Sequence, residues 1–388
     1  MTTASPGRHE VATVSELDDF ERLGGEWDAL VRGMPRPSPF LLHGWLTCWW
    51  RSFGDGGALA IQVARWQGRL VAALPLYLHS RLGLSVAEFL GSPHSALADL
   101  LVDPKEPAAV GDAVARSLAR SSLADYADLY GLPKASRIAA ALGPELDVVE
   151  RVESPVLELG DSWEDTYRAK TSSKGRNLHR RRRRQLAELG KVDVHVARET
   201  EDLELALEEA FRLHDLRWEG RPDGSGFTSP RGKSFHRDAM LTLAELDVPR
   251  VVLLRVGGRA IAFHYYFALA GTMYVHRLGF DPAFARYSPG LVNTLDTIEA
   301  AAAEGLRKVE FLGGAERYKV ELADRFDPLC HGLGLARGPV ARVAVEARLA
   351  SIRLRLELKR HDRLRRLYVD GVAPVRRFAG RARHAVRA

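Results

Sequence analysis

Apolar positions along this chain fall into two rhythms, one of three to four residues and one of two. Between residues 17 and 33, Phe20, Leu23, Trp27, Leu30 and Val31 recur at helical spacing and predict a helix with one buried face. Residues 38–54, SPFLLHGWLTCWWRSFG, predict a second helix, with Ser38 as N-cap and Pro39 at the first helical position. Its tryptophans, Trp45, Trp49 and Trp50, read as core, because aromatic stripes at helical spacing dominate burial. The rhythm then shortens: ALAIQVARW, the turn QGR and LVAALPLYLH predict two strands joined by a tight turn. VAEFLG and ADLLV read as short strands, followed by a helix over 107–121 and a strand at YADLYGL.

LGPELDVVERVESPVLELGDS reads as a boundary, with strand-like SPVLEL leading into new helices. A basic helix over 173–189, a strand VDVHVA, and helices over 201–219 and 231–246 follow. Next come strand RVVLLRV, the turn GGR, strand AIAFHYYFALA, the turn GT and strand MYVHRLGFD. A helix, SPGLVNTLDTIEAAAAEGL, and a strand, KVEFLGG, close the series. The order of helices, X-Gly hairpin, strand, helix and strand repeats that of the first half, which predicts two related α/β domains. Beyond residue 336, Val345, Leu349, Ile352 and Leu356 share one face of a basic amphipathic helix. That helix packs on a domain, pairs with another subunit, or lies on anionic lipid.

Length and composition agree with this picture. At 388 residues, two domains are expected, and 46% hydrophobic with 27% charged residues suffices for sizeable cores. The net charge of +6 is unevenly placed: residues 173–191 carry +7 and residues 337–388 carry +11, leaving the rest at −12. Such asymmetry predicts an anionic partner: phosphates of a small molecule, nucleic acid or a lipid surface. The five arginines 180–184 lack interleaved aromatics, so no specific nucleic acid is expected as the primary partner. Cys48 and Cys330 form neither a disulfide framework nor a metal spacing, and the opening MTTASPGRHEVATV lacks a signal-peptide core. Residues 260–275 are too short and too polar to span a bilayer. A soluble, cytoplasmic protein is expected, peripheral at most to the inner membrane face.

Four stretches carry a further signal: PFLLHGWLTCWWRSFG, SKGRNLHRR, LGFDPAFARYSPG and ERYKVELADRF. In that order and spacing, over about residues 15–330, the chain resembles GNAT-superfamily acyltransferases. It is most similar to the tandem-GNAT, CelD/BcsL-like branch related to the FemABX peptidyltransferases. The resemblance implies two GNAT-like domains (11–155 and 156–336) and a basic helical tail (337–388), an α/β (α+β) fold. Each domain would be a mixed, largely antiparallel sheet flanked by helices. It also implies that acyl-CoA pantetheine lies along a strand at Tyr274, Val275, His276, Arg277 and Leu278, whose backbone N–H groups stabilise an oxyanion.

The residues supply the rest. In ARYSPGL a helix N-terminus offers free N–H groups to a pyrophosphate, with Arg286, Ser288, Gly290 and Leu291 as the binding set. The superfamily pattern there is Arg-x-x-Gly-x-Gly/Ala; Arg286 matches, whereas Pro289 and Gly290 shift the glycine. In FLGGAERYKVELA the glycines place Tyr318 and Lys319 at a strand exit, where sites sit on loops. By resemblance Lys319 faces developing negative charge, and Tyr318 can protonate a leaving thiolate. Glu310 and His264 are the candidate bases on strands; a packed structural role is open for each. Lys174, Arg176, Asn177 and Arg180 open the basic helix and, with Trp218, are the candidate substrate contacts. Consecutive helical residues turn by about 100°, so the arginine run cannot share one face, and most of it, Arg182 and Arg183 included, is expected in solvent or paired with the acidic body. No Ser-His-Asp order, zinc spacing or Walker loop is apparent.

The expected activity is acyl transfer, N-acetyl above all, from acyl-CoA (acetyl-CoA first) by direct attack, with no metal. The acceptor is an amine or hydroxyl of a polar metabolite or of a cell-envelope or polysaccharide precursor. Fem-like transfer from charged tRNA, and a non-catalytic assembly protein on nucleic acid or membrane, are the alternatives.

Overall fold

The structure, a computed structural model, describes residues 9–218, 227–314 and 316–360. Its first half runs β1 (Glu10–Val14), α1 (Leu17–Glu21), α2 (Gly24–Gly33), α3 (His43–Phe53), β2 (Ala58–Leu59) and β3 (Ile61–Trp66). It continues with β4 (Arg69–Leu74), β5 (Leu76–Arg81), β6 (Leu84–Phe89), β7 (Leu101–Val102), α4 (Ala108–Arg120) and β8 (Tyr126–Pro133). Then come α5 (Arg137–Leu142), β9 (Leu146–Val152), β10 (Pro155–Glu158), α6 (Trp163–Lys170), α7 (Ser173–Ala187) and β11 (Val192–Ala197). The second half adds α8 (Thr200–Trp218), α9 (Pro230–Ala244), β12 (Pro249–Val256), β13 (Arg259–Leu269), β14 (Thr272–Phe280) and α10 (Pro289–Ala303). It ends with β15 (Lys308–Glu310), α11 (Arg317–Leu322), β16 (Arg325–Phe326), β17 (Leu329–Gly334) and α12 (Gly338–Arg360).

Hairpins form where X-Gly pairs permit them. Gln67-Gly68, Leu82-Gly83, Gly257-Gly258 and Ala270-Gly271 all hold positive φ at both positions, the backbone that matches the twist of flanking strands. The same device in both halves yields the expected sheets, largely antiparallel and flanked by helices. A seven-stranded sheet has the order β11-β12-β13-β14-β15-β10-β16, and its β14–β15 pairing is parallel. The first half holds a four-stranded sheet, β1-β3-β4-β7, and a six-stranded one, β2-β5-β6-β8-β17-β9.

That last order corrects the boundary expected at residue 336. β17 inserts between β8 and β9 of the first half, so the chain returns to its first domain before the tail. The stretch expected as a mere boundary supplies β9, paired with it. Two smaller expectations also change. The helix expected over 38–54 is a 3-10 turn followed by α3, and the Ser38 hydroxyl caps nothing but donates to Leu97 C=O at 2.6 Å. The strand expected over KVEFLGG is only three residues long.

The domains share one core. Phe40 and Trp45 from the first half meet Phe267 of β13 edge-on at 5.6 Å each, and Trp45 meets Phe235 of α9 at 4.8 Å. α3 crosses α9 closely because residue 44 is glycine: a Cβ there would lie 2.7 Å from Thr242 Cγ2. Burial of these rings fixes how the halves face each other. Of the tail, α12 packs Val345, Leu349 and Ile352 against Val86, Tyr126 and Leu333. Its expected apolar face is thus covered by the protein's own sheet, and residues 361–388 lie outside the described residues. Among the described residues no helix is long and apolar enough to cross a membrane.

Candidate functional site

β14 and β15 pair only from Thr272–Lys308 to Tyr274–Glu310 and then part. On the other edge of β14 the register with β13 shifts between Tyr265 and Tyr266, leaving His276 as an extra residue. A bulge of this kind bends a strand and re-aims its side chains. The parting and the bulge together open a cavity of about 360 Å³. Val275–Leu278 form one wall, Phe311–Gly313 another, and Pro93, His94 and Tyr130 reach it from the first domain. Arg217 and Trp218, at the end of α8, complete it with Glu316 and Lys319.

This cavity is cationic. Arg217, Arg277 and Lys319 line it, against Glu316 as the single carboxylate among the lining residues. The Lys319 side chain is only 5% exposed; its ammonium donates to Gly313 C=O at 3.0 Å and lies 2.8 Å from the Glu316 carboxylate. Arg277 donates one terminal N–H to His276 C=O at 3.3 Å, whereas its Nε is buried without a partner. Burial lowers the Arg277 pKa, against opposing effects of Tyr265 and Tyr130. Four histidines surround this charge. Burial, reinforced by Arg277, pushes His94 and His214 each down to about 4 and His236 and His276 well below their usual value. All four are neutral at pH 7. Trp49 Nε1 donates to His94 Nδ1 at 3.0 Å, and an indole can only donate, so His94 carries its proton on Nε2.

A second cavity of about 600 Å³ lies across α11 from the first. Glu316 and Lys319 face the inter-domain cavity, whereas Arg317, Tyr318 and Glu321 face this one, as a helix turning about 100° per residue requires. Its other walls are the start of α10 at Leu291 and the start of α7, with Lys174, Gly175 and Arg182. Burial foremost raises the Tyr318 pKa, with the Glu316 charge adding to it, so the phenol is protonated at neutral pH. At the start of α10, Ser288 sits in a left-handed conformation and makes no capping bond. The N–H groups of Leu291 and Val292 donate to Ser288 C=O, and Gly290 lies close enough to Phe280 that a Cβ would be 3.0 Å from its ring.

The expected site residues therefore divide. Val275, His276, Arg277, Leu278, Trp218 and Lys319 meet at the inter-domain cavity; Lys174, Leu291 and Tyr318 meet at the second. Others are placed elsewhere. Glu310 is fully buried and clamped by Arg36 Nε at 3.1 Å and NH2 at 2.5 Å, with Lys308 at 3.3 Å; it joins the domains and touches neither cavity. Tyr274 donates its hydroxyl to Pro37 C=O in the same seam. His264 is buried on β13, both ring nitrogens unpartnered, and burial with the nearby Lys319 charge pushes it down to about 3. Arg286 stacks on Tyr287 with 4.6 Å to the ring centroid. The Arg176 guanidinium is spent on the Thr171 and Arg168 carbonyls, and Asn177 accepts from Arg180 at 2.6 Å on an exposed face.

Sequence reasoning missed His94, Tyr130, Arg217 and Arg182. His94, on a turn after β6, and Tyr130, on β8, come from the first domain, and only tertiary packing brings them to the cleft. Arg182, expected in solvent or in an ion pair, reaches the second cavity, whereas its neighbour Arg183 pairs with Asp296 of α10, one of the two outcomes expected for the run. The turn of α7 decides this, and no composition signal reports it.

Residues 173–320 match the family model of the acetyltransferase (GNAT) domain. No curated protein matches the sequence. Among solved structures, FemX is similar at 10% identity and TM-score 0.60, covering 83% of this chain and 96% of that one. The C-terminal domain (DUF2156) of a lysylphosphatidylglycerol synthetase candidate from Agrobacterium fabrum is similar at 14% identity and TM-score 0.54 (84% and 95% covered). L-PGS from Bacillus licheniformis is similar at 11% identity and TM-score 0.51 (85% and 95% covered). The chain therefore carries a GNAT acetyltransferase domain within a FemABX-related fold, and the protein is an acyltransferase.

Proposed function

We propose that this acyltransferase moves an acyl group from acyl-CoA, acetyl-CoA first, to an amine held in the inter-domain cavity. The observation that carries the reading is the parting of β14 from β15, with one cavity on each side of α11. In the second cavity, Lys174 and Arg182 beside the start of α10 suit the donor's phosphates. The pantetheine arm then reaches along Val275–Leu278 toward the inter-domain cavity. There the acceptor nitrogen attacks the thioester carbon; the N–C bond forms and, through a tetrahedral intermediate, the C–S bond breaks. Backbone N–H groups of β14 and the Lys319 ammonium stabilise the oxyanion. Glu316, on the wall of that cavity, takes the amine proton and passes it to the leaving sulfur. No covalent enzyme intermediate is needed, because positioning two reactants supplies much of the acceleration.

Acetyl-CoA should raise the unfolding temperature of the wild-type protein. Lys174→Glu and Arg182→Glu should each weaken that binding about tenfold, the scale of one charge-assisted contact. No thermal shift with any acyl-CoA would refute the donor assignment. Salt-sensitive binding of charged tRNA in its place would favour an aminoacyl-tRNA donor, a second reading supported by the basic exposed face of α7.

A further inference from the structure

We propose that the acceptor is an amino acid or short peptide whose free carboxylate is seated on Arg277. The inference rests on the assignment of the inter-domain cavity to the acceptor and narrows its chemical class. Three observations carry it. The Arg277 Nε is buried with no acceptor, and a guanidinium N–H left so is costly unless a ligand fills the place. With one terminal nitrogen donating to His276 C=O, the Nε edge remains, a two-donor fork that matches a planar carboxylate. Among the described residues no carboxylate pairs with Arg277, and Glu316, the one carboxylate among the described lining residues, is already paired with Lys319 at 2.8 Å.

The surrounding histidines sharpen the choice. The imidazoles of His94 and His276, which line the cavity, add no charge of their own at neutral pH, while His94 Nε2–H offers a neutral donor there. The volume of about 360 Å³ lies at the small end of ligand pockets and excludes a long glycan chain from full enclosure. A carboxylate on Arg277 would leave the amine of the same molecule free to approach the thioester. Lys319 and Glu316, on the wall supplied by α11, then lie at the reacting end.

The test is equilibrium binding, which does not require turnover. Wild type, Arg277→Met and Arg277→Lys are titrated with the common amino acids, their carboxamides, inorganic phosphate and, separately, acetyl-CoA. At least one amino acid should bind wild type, and its carboxamide should bind at least tenfold more weakly. Arg277→Met should lose about 10- to 100-fold in affinity for that amino acid. Arg277→Lys should recover only part of it, because the charge returns without the fork. Arg277→Met should also unfold at an equal or higher temperature without ligand, since a buried cation lacking an anion is removed. Carboxamides binding as well as acids would overturn the proposal, as would full affinity in Arg277→Met. So would binding of phosphate but of no amino acid, or of no probe at all. Acetyl-CoA binding reads the donor assignment independently, so its failure is distinguishable from a failure at Arg277.

Discussion

Glu310 offers a sharp division between a catalytic and a structural group, because its sequence position suggests a base and its surroundings a clamp. Its side chain is 0% exposed, against 16% for Arg36 and 22% for Lys308, so the charge cannot be repaid by water. At about 4 Å and an effective dielectric near 20, one such pair is worth roughly 4 kcal/mol gross. Deleting one member of a buried pair costs about 3–5 kcal/mol, mostly from the stranded partner. Glu310→Gln keeps the shape and strands Arg36 and Lys308 together. With an unfolding entropy of about 2.1 cal/mol/K per residue over 388 residues, 1 kcal/mol moves the midpoint by about 1.2 °C. Glu310→Gln should therefore lower it by about 4–6 °C in calorimetry, while kcat measured below the transition falls less than tenfold. Combining it with Arg36→Met should recover part of the loss, since the stranded cation is removed. A midpoint within 1 °C of wild type together with a loss of activity above 100-fold would refute the structural role and restore Glu310 as a base.

Lys319→Met should lower kcat by about 100-fold, as loss of one oxyanion donor does, with acetyl-CoA affinity unchanged; wild-type turnover would remove it from the mechanism. In the first domain, buried Asp128 is met by His331, by Arg81 at 2.6 Å and by Arg348 at 3.2 Å. Burial alone would raise its pKa, but the His331 hydrogen bond and charge, with Arg348 and Arg81, hold it well below the usual carboxylate range. A depressed carboxylate contributes stability that is present above about pH 4 and lost as pH falls further. Asp128→Asn should accordingly be less stable at pH 7, and its stability should fall less steeply than that of wild type below pH 4 in urea titrations. Parallel acid limbs would refute this.

What the sequence revealed follows the range of the forces involved. Hairpins at Gln67-Gly68 and Ala270-Gly271 were legible because turn chemistry is local, and α8, α9 and α10 because a 3.6-residue period persists over many turns. β17 was not, since LCHGLG is buried throughout and shows no alternation to mark it as a strand. Its place between β8 and β9 is a long-range pairing that no window of sequence contains. The site divides along the same line. Val275–Leu278 and Lys319 came into view through the family resemblance of their own stretches, whereas His94 arrives from more than 180 positions away in the chain.

The same distinction explains why the wrong arginines attract notice. Arg180–Arg184 are conspicuous in a string of letters, yet on α7 their side chains fan around the axis, and the structure sends Arg182 to a cavity and Arg183 to Asp296. Arg277 is one basic residue in an apolar strand, and nothing local in the sequence marks its charge as unpaired. What distinguishes it is a buried Nε that has no acceptor among the described residues. Charge density in sequence measures how much solvent a segment can tolerate; charge left unpaired by the fold measures what the protein has yet to bind. On that reasoning the acceptor should be sought by its complementarity to Arg277, and the arginine run weighed only for the single member that reaches the donor side.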